Sequence, residues 1–220
     1  MKISLRNPGS ALTHFPGIVL GVLATPPILV KAASNPDKIH IASLAIFMVS
    51  LIALYSASTI YHSLDKSEKI NRILRKLDHA MIFILIAGSY TPICMVVLKG
   101  QIGTLLLSLV WSIAILGIII KICWITCPKW FSSSLYIIMG WVVVLAFGPM
   151  KASLPFAALF WLFAGGVLYT TGGVIYAIKA PDFNKKHPNF GTHEIFHLFV
   201  LAGSICHFIM MYFFVAPLPL

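Results

Sequence analysis

Seven apolar runs, each close to the ~20 residues needed to cross a bilayer, leave this chain little freedom of fold. They fall at 15–33, 40–63, 78–98, 102–123, 133–149, 154–178 and 191–215. Backbone inside lipid must pair its own polar groups, so runs of this length are helices. Of the 220 residues 59% are hydrophobic and 10% charged, and the charges crowd into short connectors that leave no room for a soluble domain. The expectation is an all-α integral membrane protein, one seven-transmembrane-helix bundle over residues 1–220. Pro26 and Pro27 are expected to kink or thin the first span. Gly165-Gly166 and Gly172-Gly173, seven apart in the sixth, predict a close helix contact.

The first run follows Lys2 and Arg6 and precedes Ala32, Ala33 and Ser34, as a signal peptide would. It is longer than a usual leader and carries its proline pair inside the apolar block, so it is read as a retained span. An odd number of spans then puts the termini on opposite sides. Twelve lysines and arginines fall on the N-terminal side and four on the other. The positive-inside rule places the N-terminus in the cytoplasm and the C-terminus outside, in the cell membrane. That topology disfavours a rhodopsin-type receptor. The net charge of +10 reflects basic residues flanking spans, which suits orientation and anionic headgroups; no nucleic acid is implied. In the connector at 65–77, Ile70, Ile73, Leu74 and Leu77 alternate with Lys69, Arg72, Arg75 and Lys76 at helical spacing. This predicts a short basic amphipathic helix lying on the cytoplasmic leaflet, against anionic headgroups. The cysteines at 94, 123, 127 and 206 form neither a disulfide framework nor a paired zinc knuckle.

Three places carry groups that lipid rejects. Ser58 and His62 end span two, Asp78 and His79 begin span three, and His193 and His197 open span seven. The topology puts all of them at one depth in the cytoplasmic leaflet. His193 and His197, one helical turn apart, lie about 40° apart around the axis and about 6 Å along it. That is the i, i+4 arrangement of helical zinc sites. Three histidines with a carboxylate beside them match a catalytic zinc site that keeps an open position. Each residue also has a plain structural reading. Asp78 can cap the third helix, His62 can bond an interfacial carbonyl, and Ser58 can bond back to its own helix. His207 lies about 15 Å deeper than His197, too far to share an ion, and is assigned a buried hydrogen bond. Glu194 points about 100° from His193 and is left outside the ligand set. His14 is placed at the correct face, as a solvent-facing group, and His79 beside Asp78 as a supporting one.

Those residues also carry a resemblance. SxxxH in span two (Ser58, His62), Asp78 in LDHAMIFILIAGSYTP and HEIFHLFVLAGSICHF in span seven resemble the hemolysin III family. That family belongs with the progestin and adipoQ receptors and is more distantly related to alkaline ceramidases. The opening NPGSALTHFPG is similar to the start of bacterial members. The resemblance implies zinc held by His62, His193 and His197. Asp78 would then contact the metal-bound water or the metal itself, and Ser58 a substrate carbonyl or the ligands' surroundings.

The function expected from this is an intramembrane zinc hydrolase acting on a lipid-like amide or ester. Asp78 would move the proton and Ser58 donate to the developing oxyanion. One alternative is a non-catalytic sensor or receptor in which Asp78 completes a closed, structural zinc site. Another is a channel, cytolysin or metal transporter, which needs polar groups through the full thickness, yet the outer half offers little beyond His207. Nothing in the sequence sets the oligomeric state.

Overall fold

The computed structural model of the chain describes residues 6–178 and 180–219. Its seven spans are α1 (Pro8–Ala33), α2 (Lys38–Ser63), α3 (Glu68–Val97), α4 (Gly100–Cys123), α5 (Lys129–Ser153), α6 (Phe156–Ile178) and α7 (Thr192–Val215). A six-residue helix, Pro181–Lys186, lies between α6 and α7. The described residues contain no strand.

Local chemistry accounts for where the helices begin. Pro8 opens α1, where its missing N–H costs nothing. The Asp37 carboxylate caps α2 by accepting from the Ile39 N–H at 2.8 Å. Glu194 caps α7 by accepting from the Gly191 N–H at 2.8 Å. The proline pair does not end α1, which continues through Pro26 and Pro27 to Ala33.

Two boundaries differ from the sequence reading, and both bear on the site. The first helix starts at Pro8 rather than near 15, because the polar turns of SALTH face other helices instead of water. The basic stretch after span two is not a separate helix on the leaflet. It forms the first turns of α3, which runs unbroken from Glu68 because no proline interrupts it before Pro92 and no glycine before Gly88. Asp78 therefore sits three turns inside α3, and the capping role open to it in the sequence does not apply.

The third helix is the hub. It buries 72% of its apolar window, against 50% or less for every other span. It packs on α2, α4 and α5, while α1 pairs with α2 and α7, and α6 with α5 and α7. The sixth-span glycines make the expected contact: a Cβ on Gly172 would lie 2.8 Å from the Phe199 Cβ of α7. Lys121, counted from the sequence among the connector charges, is instead buried in the last turns of α4. Its ammonium bonds the Ser132 hydroxyl and, at 3.2 Å, the Cys127 thiol. All four cysteines are free.

The termini lie at opposite ends of the bundle. At the far end, Asn35 donates to the Ala216 carbonyl at 2.8 Å, and the His40 ring meets the Leu218 carbonyl at 2.9 Å. At the near end, the Asn7 N–H donates to the His62 carbonyl at 2.9 Å. The start of α1, the end of α2 and the start of α7 thus share one end, together with the first third of α3.

Candidate metal centre

His62, one residue from the end of α2, meets His193 and His197 on the first two turns of α7. One ring nitrogen from each lies within 4.8 Å of the others. The His62 and His193 Nε2 atoms are 3.2 Å apart, and the His193 and His197 ring centroids 4.4 Å. Two nitrogens bound tetrahedrally at 2.0–2.1 Å would be about 3.3 Å apart, so the closest pair already has the spacing a shared ion needs. His62 and His197 are buried and His193 is half-buried. The mutually close ligand atoms, among the described residues, are three imidazoles and no carboxylate.

What holds the rings comes from α1. The His197 Nδ1 lies 3.0 Å from the Thr13 hydroxyl and 3.2 Å from the Ser10 carbonyl, and the carbonyl requires that nitrogen to carry the proton. The His62 Nδ1 lies 3.3 Å from the Asn7 side-chain amide. The His197 Nδ1 is thus engaged, which leaves Nε2 as that ring's metal-facing atom. The Ser10 hydroxyl also donates to Glu194, which locks α1 against the head of α7. His14 is buried, not solvent-facing. It stacks on His197 with centroids 3.5 Å apart and planes 12° apart.

Residues 7, 10, 13 and 14 form one stripe of a helix, a signal visible in NPGSALTH once the helix is started at Pro8. The sequence reading began the span at 15 and so missed Asn7, Ser10 and Thr13.

Asp78 and Ser58 adjoin the cluster without joining it. Both are buried, both border the cavity next to His193 and His197, and Ser58 makes no bond back to its own helix. His79 borders the same cavity, its backbone carbonyl accepting from the Tyr136 hydroxyl at 3.2 Å. Glu194 stays outside the cluster, engaged at the helix cap. His207 is where the sequence placed it, deep in α7, with Nε2 3.3 Å from the Leu162 carbonyl.

The cavity is long and mostly apolar. It runs from Asp78 and His193 past Tyr136, Trp141 and Leu162 to His207. Fourteen residues of helix separate its two histidine ends, about 21 Å, roughly the length of an extended long-chain acyl group. Four of its lining residues, His14, Ser58, His79 and His207, carry buried ring or hydroxyl atoms without a hydrogen-bond partner. Each such atom costs about 1–3 kcal/mol if left unsatisfied, which suits a cavity that receives a ligand with polar groups.

Seven membrane spans around a buried three-histidine cluster define a multi-pass membrane protein with a candidate metal centre at one end. Comparison with known proteins gives the family. Residues 4–208 match the haemolysin-III-related family, and the chain belongs to it. It is 38% identical over 210 residues to a hemolysin-3 homolog of Bacillus subtilis (strain 168), covering 96% of this chain and 94% of that protein. It is 35% identical over 208 residues to hemolysin-3 of Bacillus cereus, covering 94% and 91%. An adiponectin receptor protein of Drosophila melanogaster is 26% identical over 229 aligned residues, covering 91% of this chain and 48% of that receptor.

Proposed function

We propose that this protein is a zinc-dependent hydrolase of the cell membrane that cleaves a lipid-like amide or ester at the cytoplasmic leaflet. One observation carries the reading: the ligand set holds three imidazoles and no carboxylate, while Asp78 and Ser58 border the adjoining cavity. A structural site would draw Asp78 in as a fourth ligand. Three neutral imidazoles favour zinc and leave a coordination position open. Zinc held there supplies Lewis-acid activation of water and carbonyl oxygen. The chain's own groups do the rest. The apolar cavity takes the acyl chain and excludes bulk water. Ser58 donates a hydrogen bond to the carbonyl oxygen as charge builds on it. The Asp78 carboxylate accepts a proton from the attacking water and returns it to the leaving amine or alcohol.

The test is direct. Purified protein loaded with zinc is expected to release fatty acid from at least one member of a panel of long-chain N-acyl and O-acyl lipids. A tight chelator should stop release and added zinc restore it. Absence of turnover across the panel, with zinc bound, would favour the structural alternative.

The twelve-to-four charge count supports a cytoplasmic N-terminus, which puts the centre in the cytoplasmic leaflet and the basic first turns of α3 against anionic headgroups. A reporter fused after Leu220 is expected to read as extracytoplasmic. A cytoplasmic signal would reverse the leaflet.

A further inference from the structure

One polar cluster lies outside the histidine centre and takes no part in the proposed hydrolysis. Lys121 in the last turn of α4, Cys127 in the connector before α5 and Ser132 in the first turn of α5 meet there. They are 1%, 6% and 2% exposed, and none of them lines the cavity. The Lys121 Nζ lies 3.2 Å from the Cys127 sulfur and also donates to the Ser132 hydroxyl. That hydroxyl lies 3.2 Å from the same sulfur, so the three atoms close a triangle. Among the described residues no carboxylate pairs with this ammonium. Its remaining neighbour is the Tyr136 ring, with the centroid 6.0 Å away.

A buried ammonium without a counter-ion is costly to keep, and packing alone is served as well by an apolar side chain. A chemical use for the amine accounts for it better. Cysteines that react stand beside a basic side chain near a surface, whereas those in apolar surroundings are inert. Cys94 and Cys206 are buried within spans, and Cys123 is exposed at the end of α4. Of the four, Cys127 is the one whose sulfur is bonded by a lysine nitrogen among the described residues. It also lies in a connector outside the spans, where its sulfur has to meet only a molecule as small as hydrogen peroxide.

We infer that Cys127 and Lys121 form a reversible covalent sulfur–nitrogen link when the protein meets a peroxide. The thiol sulfur attacks one peroxide oxygen, the O–O bond breaks, and water leaves behind a sulfenic acid. The Lys121 ammonium releases its extra proton to water, with the Ser132 hydroxyl placed between nitrogen and sulfur as a relay. The freed amine then attacks the sulfur. The N–S bond forms, the S–O bond breaks, and the hydroxyl leaves as water with a second nitrogen proton. One thiol, one ammonium and one peroxide thus give one sulfenamide, two waters and one proton. The sulfur is oxidised by two electrons and the peroxide reduced by two. A dithiol reverses the link and is itself oxidised to a disulfide. The link removes the buried charge and ties the end of α4 to the connector ahead of α5, whose Ser133 and Tyr136 line the cavity. It needs neither a bound metal nor turnover.

The experiment treats full-length protein in detergent with hydrogen peroxide, then denatures it, digests it with trypsin and weighs the peptides. Cleavage after Lys121 is expected to be lost, and the peptide carrying 121–129 to be lighter by about 2 Da. Dithiothreitol should restore both mass and cleavage. A disulfide between Cys123 and Cys127 would lose the same mass, so the decisive sample is Cys123→Ser, a change at an exposed residue. It should keep the loss, whereas Lys121→Arg and Cys127→Ser should abolish it. Disappearance of the loss in Cys123→Ser, or its survival in Lys121→Arg, would overturn the link. A gain of about 32 Da at Cys127 would do the same, as a sulfinic acid that no amine intercepted. A gain of about 14 Da on the joined peptide would leave an oxygen between the two atoms and overturn the direct bond. An unchanged Cys127 at peroxide levels that fully oxidise Cys123 would show the thiol to be inert and overturn the proposal.

Discussion

Replacing His193 or His197 by alanine is expected to remove zinc from the purified protein, with affinity falling by at least three orders of magnitude. Either change takes one of three donors from a set with no described carboxylate to replace it. Because bound metal adds its binding free energy to the folded state, the ion-free protein should also melt lower. At metal concentrations about 1,000 times Kd that contribution is about 4 kcal/mol, or on the order of 10 °C for a chain this long. Elemental analysis and a melting curve with and without chelator measure both. A wild type prepared without chelators that holds no stoichiometric metal would remove the metal centre. A graded companion sits beside these variants. Thr13→Val keeps the side chain's shape but loses the hydroxyl at the His197 Nδ1, so zinc affinity should fall about 10- to 100-fold. Thr13→Ser should restore it.

Asp78→Asn separates catalysis from architecture. Asparagine fills the same space on α3 but cannot take a proton, so turnover should fall by about 10²- to 10⁴-fold while zinc content and melting temperature stay at wild-type values. In a closed structural site the same change would lose zinc and stability together. The two outcomes are read from one preparation by measuring metal, melting temperature and fatty-acid release side by side.

The sequence exposed the spans and the partners across them, but not the packing that completes the site. Hydropathy located all seven helices, since a continuous apolar run of about 20 residues satisfies its own backbone in lipid only as a helix. Topology then brought His62 to His193 and His197, although 131 residues separate His62 from His193. Two things escaped it. Residues 7–14 are polar enough to look like an aqueous leader, yet they face α2 and α7, so their character reflects tertiary neighbours rather than solvent. The basic turns before Asp78 looked like a surface helix because composition changes there while the backbone does not. Hydropathy reads the medium around a segment. It does not read where a helix stops.

The joining of α1 to α7 through Thr13, Ser10, His197 and Glu194 sets an order of events during synthesis. The first span emerges early and can pair with α2 at once, but its other partner, α7, is the last of the seven spans to emerge. At the usual rate of about 5–20 residues per second, His62 waits roughly 7 to 26 seconds for His193. Until then a growing chain carries one of the three candidate ligands, His62, and a polar stripe on its first helix that lacks its α7 partners. The bundle therefore closes at a seam that also holds the candidate ligand set, and a chain truncated before α7 has neither the seam nor two of the three histidines. Capture of an ion at that seam would reward only complete insertion, making metal occupancy a record of finished assembly.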